Sequence, residues 1–240
     1  LDVDWAPTAY ADPETADQAQ SLLRITVRDA DPKAVAKPFT TSVIESTLAS
    51  YPGMFPTAPP GEGTPYGVYW PTTVDRRAVP VSVAVDGEAI TLPTHWREET
   101  SRLVEVEPAS MPMVRDGEEV VVPLGTLCGA RSGDKGGDAN VGLWIPAAVP
   151  HRDEAYAWLH GFLTPDRVRE LLPEAALLGV DVHPLPNLHA VNVVIHGLLG
   201  RGVAETARSD PQAKGLGEHL RARLVSIPRH LLPDPGTDLA

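Results

Sequence analysis

Between Glu119 and Ile227 short apolar runs alternate with stretches of helical spacing, and their order narrows the fold more than any other feature of the chain. Glu119–Thr126 opens the series as a strand and Val141–Ile145 is a second apolar segment. Val180–Leu185 and Ala190–His196 read as strands, and Arg223–Ile227 closes the series. Asp153–Leu163 has helical spacing with Ala155, Leu159 and Phe162 on one face. Thr164, Pro165 and Asp166 then supply an N-cap, a proline suited to the first helical position and an acidic first turn. That helix is predicted to run to about Leu172, before Pro173, and Gly215–Ala222 to form one more short helix. The order β-β-α-β-β-α-β predicts an α+β sandwich with its helices on one face of the sheet.

The preceding part is less regular. Leu22–Arg28 is a short run with Leu23, Ile25 and Val27 on one side and reads as a strand, whereas Asp2–Gln20 has no clear period. After Pro38, the positions Phe39, Val43, Ile44, Thr47, Leu48 and Tyr51 predict one amphipathic helix stopped by Pro52-Gly53. From Pro52 to Pro71 prolines and glycines are interleaved with Phe55, Tyr66, Tyr69 and Trp70, which predicts an ordered loop. Val79–Val85 and Glu88–Leu92 flank Asp86-Gly87, a pair whose tolerance of positive φ suits a tight hairpin turn. Polar, irregular sequence from Pro93 to Gly117, with Arg97-Glu98-Glu99, Pro108 and Pro112, places a domain boundary near 115, giving parts 1–115 and 116–240.

Charge and composition exclude whole classes of function. With 20 Lys and Arg against 32 Asp and Glu, the net charge of -12 opposes a phosphate backbone, so no nucleic-acid partner is expected. No apolar run reaches the length of a membrane span, so no membrane partner is expected either. The single cysteine, Cys128, rules out an internal disulfide framework and fits a reducing compartment, so the expected location is cytoplasmic.

The stretch from Arg131 to Gly142, Arg-Ser-Gly-Asp-Lys-Gly-Gly-Asp-Ala-Asn-Val-Gly, reads as a polar glycine loop between apolar segments. Gly133, Gly136 and their neighbours would let the backbone approach a ligand, and successive N–H groups in such a turn make an anion nest. Arg131 and Lys135 add cationic donors, while Ser132, Asp138 and Asn140 add polar ones. Asp134, beside Lys135, is the candidate for moving a proton, so the expected catalytic pair is Asp134 and Lys135. The competing structural reading makes Asp134 and Lys135 a solvated ion pair on a tight connection. Neither a P-loop nor a dinucleotide fingerprint is present, so nucleotide hydrolysis is not suggested.

Other residues are weaker candidates. His183, His189 and His196 lack metal-ligand spacing and are read as strand packing, so no metal site is expected. Cys128 reads as a small buried residue at a strand end more readily than as a nucleophile. Asn187 and Asn192 bracket a turn and strand and are plausible ligand-binding donors, with Asn192 the one retained. Arg76-Arg77 after Asp75 is read as a solvated step.

At Arg131-Ser-Gly-Asp-Lys-Gly136, with Asp138-Ala-Asn140 and Gly142, the sequence resembles the AtuA-like family, named for acyclic terpene utilisation. Further matching positions are Leu185-Pro-Asn-Leu188, Ala190-Val-Asn192, Leu198-Leu-Gly200, Gly202-Val203, Asp210-Pro-Gln212, Lys214 and Val225-Ser-Ile-Pro228. Tyr51-Pro52-Gly53 and Tyr69-Trp70-Pro71 are similar to the end of the family's larger N-terminal domain. The resemblance departs at Gly137, where the family has a larger polar residue, and at Arg201 and Ala213, where it has glycines. It implies a C-terminal ferredoxin-like α/β sandwich preceded by an incomplete mixed α/β domain. It also implies a place in catabolism of terpenoid or branched acids as CoA thioesters, with an anionic small-molecule ligand, a CoA thioester as a substrate and no resident cofactor. An incomplete first domain implies a partner chain or a missing N-terminal segment, and a homo-oligomer is open to it. The alternative is a non-catalytic module whose loop docks on that partner.

Overall fold

The computed structural model describes residues 1–47, 53–91, 111–234 and 236, and the chain divides into two compact units. The expected helical positions Leu48 and Tyr51, and most of the irregular stretch from Pro93, lie outside the described residues.

The first unit comprises residues 1–67 with 204–211. Strand β1 (Asp2–Ala6) pairs antiparallel with β2 (Leu22–Thr26), Asp2 facing Thr26 and Ala6 facing Leu22. Arg24 binds Asp4 Oδ2 at 2.9 Å and Ser209 Oγ at 3.2 Å, and it also donates to the Ala207 carbonyl, so β2 holds the 204–211 segment. Helix α1 (Lys37–Thr47) forms where its spacing predicted, but buries none of its residues. Strand β1 alternates Asp2, Val3, Asp4 and Trp5 over too few residues to stand out in the stretch to Gln20, and its side chains are nearly all exposed.

The second unit comprises 68–203 and 212–240. Strands β3 (Ser82–Val85) and β4 (Glu88–Thr91) form the expected hairpin, with Asp86 and Gly87 at φ 50° and 86° as a type I′ turn demands. Strand β5 (Glu119–Pro123) stops short of the predicted Thr126, because Leu124–Thr126 turn into a single 3₁₀ turn with Leu124 buried. It pairs antiparallel with the last described strand, Leu224–Pro228.

A separate four-stranded sheet follows: β6 (Gly129–Lys135), β7 (Asp138–Trp144), β8 (Val180–Leu185) and β9 (Ala190–Ile195), antiparallel throughout in the order β6-β7-β9-β8. The predicted glycine loop is therefore not a loop. Residues 131–135 and 138–142 are paired strands, and only Gly136-Gly137 turns. The helices α2 (Arg152–Phe162), α3 (Pro165–Leu171) and α4 (Leu216–Arg221) pack on β9, on β8, and on β6 with β7, respectively. The N-cap of α3 forms as expected, with Thr164 Oγ1 accepting from Arg167 N at 3.1 Å. The last described strand, Leu224–Pro228, is β10.

Alternation builds the core. Ala139, Val141 and Leu143 of β7 and Val191, Val193 and Ile195 of β9 are fully buried on one face of the sheet. Leu159, Val168, Leu216 and Leu220 join them from the helices. The result is the α+β sandwich predicted from the element order.

Candidate functional site: the open face of the sheet

Because neighbouring residues of a strand point to opposite faces, pairing splits the 131–142 motif in two. Ala130, Ser132 and Asp134 lie opposite Leu143, Val141 and Ala139 and share the helix-covered face. Gly129, Arg131, Gly133 and Lys135 share the other face with Trp144, Gly142, Asn140 and Asp138. The registers extend this face across the sheet. One row runs Arg131, Gly142, Asn192, His183, and the next runs Gly133, Asn140, Val194, Asp181.

Apart from Val194, these rows carry only polar side chains and two glycines. A Cβ on Gly142 would meet only the Arg131 carbonyl, at 3.8 Å, so the space above that glycine is open. Over Gly133 stands the Lys214 ammonium, 3.1 Å from where a Cβ would be. Arg131 and Gly133 are two residues apart on one strand, so the Lys214 ammonium stands over a position about 7 Å along β6 from Arg131. Arg131 is exposed, and among the described residues its guanidinium makes no ion pair. Asn140 Nδ2 donates to Asn192 Oδ1 at 3.1 Å, fixing both amides beside the open glycine. Trp144 bounds the site on the next row, its indole lying over Gly129, where a Cβ would fall 2.5 Å from the ring.

Buried Ser132 positions Lys214 from behind the sheet. Its Oγ donates to the Lys214 carbonyl at 3.1 Å and accepts from Gly217 N at 2.8 Å. One hydroxyl thus pins the segment leading into α4 against β6.

Arg131, Gly133, Asn140 and Asn192 come together on the open face as a set. Ser132 and Asp134 face the other way. Asp134 and Lys135 do not form the solvated ion pair of the competing reading: Lys135 Nζ donates to the Asp134 backbone carbonyl at 3.0 Å, while their side chains diverge. Gly136 takes φ 65°, and the Tyr69 ring covers it at 3.1 Å from a would-be Cβ. Asp138 is engaged locally, with Oδ1 accepting from Gly197 N at 2.8 Å and Oδ2 lying 3.0 Å from His196 Nδ1.

Two of the three histidines are not strand packing, while His189 packs edge-on against Tyr156 with ring centroids 5.8 Å apart. His183 and His196 are exposed, and His196 also places Nε2 2.8 Å from Asp181 Oδ2. His189 lies 2.6 Å from Asp153 Oδ1. Among the described residues no group of three or more His, Cys, Asp or Glu is arranged to hold a metal ion.

Cys128 is fully buried and donates to the Leu124 carbonyl at 3.4 Å. Burial pushes its thiol up to about 12, outweighing the nearby Arg221 guanidinium, so it carries no thiolate chemistry. Asn187 is exposed in the turn before β9, and Arg77 is spent on Asp75 at 2.7 Å. A cluster without a sequence signal joins Arg115, Glu154 and His230. The Arg115 backbone and guanidinium donate to Glu154, and His230 Nε2 lies 2.9 Å from Oε1. These bonds, Arg115's first, hold the Glu154 carboxyl down to about 2. With every contact internal, the cluster ties α2 to the segments at 115 and 230.

Sequence reasoning missed two residues of the open face. Lys214 stood out only as a matching family position, and its place depends on the Ser132 contact 82 residues away. Trp144 had a local signal, since it continues the i, i+2 series of Asn140 and Gly142.

Among the described residues no helix is long and apolar enough to cross a membrane. No curated protein and no solved structure matches the chain. Residues 122–226 match the family model of the AtuA ferredoxin-like domain, and residues 1–85 match that of the acyclic terpene utilisation family protein AtuA. The first match spans the four-stranded sheet, its helices and Lys214, and with the second it takes in most of the chain, which therefore belongs to the AtuA family and carries its ferredoxin-like domain.

Proposed function

We propose that the open face of the four-stranded sheet binds the anionic group of a small molecule, and that the chain serves as a component of acyclic terpene or branched acyl-CoA catabolism. The observation that carries this reading is that Arg131 shares one sheet face with Gly133, over which the Lys214 ammonium stands, and with the paired Asn140 and Asn192 amides. A guanidinium and an ammonium beside fixed amides suit a phosphate or carboxylate, because the donors are already oriented and the glycines let the ligand approach the backbone. A CoA thioester offers such anionic groups. The Asp134 side chain faces away from the bound group, so the geometry favours binding at this face over proton transfer by Asp134.

Thermal melting with acetate, inorganic phosphate, CoA and an acyl-CoA tests the reading, since a ligand of the native state raises stability by mass action. At a concentration 100 times its dissociation constant, the gain is about 2.7 kcal/mol. The melting point should rise with at least one of these anions and stay unchanged in Arg131→Ala. An equal rise in that variant places the ligand elsewhere.

A second reading, a module that docks a partner chain, draws on the first unit. Val3 pairs with Ile25 and Trp5 with Leu23, which puts four exposed apolar side chains on one face of β1–β2. On that reading Trp5→Ser changes the assembly state seen by light scattering and leaves anion binding intact.

A further inference from the structure

At one end of the four-stranded sheet, three pieces of backbone meet on a single imidazole. His196 follows directly on β9. Its Nδ1 lies 3.0 Å from Asp138 Oδ2, at the first residue of β7, and its Nε2 lies 2.8 Å from Asp181 Oδ2, on the β8 edge. Asp138 also holds Gly197 N at 2.8 Å. Immediately beyond, Leu199 N donates to the Gly137 carbonyl at 2.9 Å, and a Cβ on Gly137 would fall 2.2 Å from the Gly200 oxygen. The β6–β7 turn, the turn after β9 and the β8 edge therefore form one joint with His196 at its centre.

We propose that His196 is a pH-operated clasp: protonated, it ties β7 to β8 through Asp138 and Asp181 together, and neutral, it releases one carboxylate and loosens the β6–β7 turn. The chemistry is that of the ring. An imidazolium donates from both nitrogens and satisfies both carboxylates, whereas a neutral imidazole donates from one and turns a lone pair towards the other carboxylate. The charged groups around it are Asp138 from β7, Asp181 and His183 from β8, and Lys135 opposite Asp138 at the end of β6. Two carboxylates against one neighbouring ammonium favour the protonated ring. Hydrogen bonding to Asp181 first, and then to Asp138, raises the His196 pKa above its ordinary 6.5. Hydrogen bonding to His196 correspondingly lowers the pKa of Asp181.

The sign follows from these directions. Stability from a raised histidine is fully present below pH 6.5 and is lost as pH rises through the folded value. Stability from the lowered Asp181 is present above its ordinary 3.8 and is lost as pH falls through the folded value. The clasp is therefore strongest between about pH 4 and 6.5.

Two readouts on the intact chain test this. His189 and His230 also face carboxylates, so the informative quantity is the difference between wild type and His196→Gln. The wild-type melting point should exceed that of His196→Gln by about 2–4 °C at pH 6 and by much less at pH 9. Amide exchange at Gly197 and Leu199 should quicken on crossing the same range in wild type, after correction for the intrinsic pH dependence of exchange, and should not do so in the variant. If His196→Gln does not fold, Asp181→Asn serves instead, because it should lower the pH at which the His196 ring titrates by NMR. Parallel melting curves against pH, or an unmoved ring titration in Asp181→Asn, overturn the clasp. None of these readouts involves a ligand, so the clasp stands or falls separately from the anion site.

Discussion

Among the described residues two hairpins close on two-residue turns and are put to opposite uses. In β3–β4 the Asp86-Gly87 turn has both residues at positive φ, and every strand residue is exposed. In β6–β7 the Gly136-Gly137 turn has positive φ only at its first residue, the type II′ pattern, and one strand face is buried. The difference lies in what each hairpin meets. Strand β7 is paired on both sides, with β9 adding Val191, Val193 and Ile195 to its buried face, whereas among the described residues β4 pairs with β3 alone. Turn chemistry decides that a hairpin forms, and the neighbouring strand decides whether it becomes core. The open face of β6–β7 is precisely placed because its other face is packed.

The largest effect expected from this contrast is in the strands. Leu143→Ala removes a fully buried side chain from β7 and should cost about 2–5 kcal/mol in denaturant unfolding. Ile90→Ala in β4, already 51% exposed, should change stability by less than about 0.5 kcal/mol. Similar losses for the two would end the distinction. The turns come next. Gly137→Ala drives a methyl to within 2.2 Å of the Gly200 oxygen and should cost about 1–3 kcal/mol of global stability. Gly87→Ala meets no atom and is strained only by its φ of 86°. It should therefore speed amide exchange within β3–β4 and leave the global transition in place. The smallest effect is a gain. Ala213 is fully buried at φ 53°, next to Lys214, where an L side chain is strained. Ala213→Gly should add roughly 0.5–1 kcal/mol, the relief of strain being partly offset by the freedom glycine has when unfolded. A loss instead would show that the methyl group contributes more through packing than it costs in strain.

The same contrast explains what the sequence disclosed. Asp86-Gly87 announced its hairpin because the pair has few other uses between apolar runs. Gly136-Gly137 is also a hairpin turn signal, but Arg131-Ser-Gly-Asp-Lys lacks the β-branched residues that mark strands, and pairing with β7 overrides that weak propensity. The α3 cap was legible because Thr164 and Pro165 act within one turn. Of the open face, Arg131, Asn140 and Asn192 were legible as polar residues in a family motif. Their separation from Ser132 and Asp134 was not, because it follows from a strand period that reading the segment as a loop conceals. Lys214 joins them only through a contact across 82 residues, which no local pattern encodes.

The most direct test of the anion-binding face is a calorimetric titration of CoA into the intact chain and into the double variant Arg131→Ala/Lys214→Ala. Saturable binding by the wild type, weakened at least about ten-fold in a variant that still melts cooperatively, is the predicted result, since charge-assisted bonds contribute roughly 1.5–3 kcal/mol each. Equal affinity in the two proteins would contradict it.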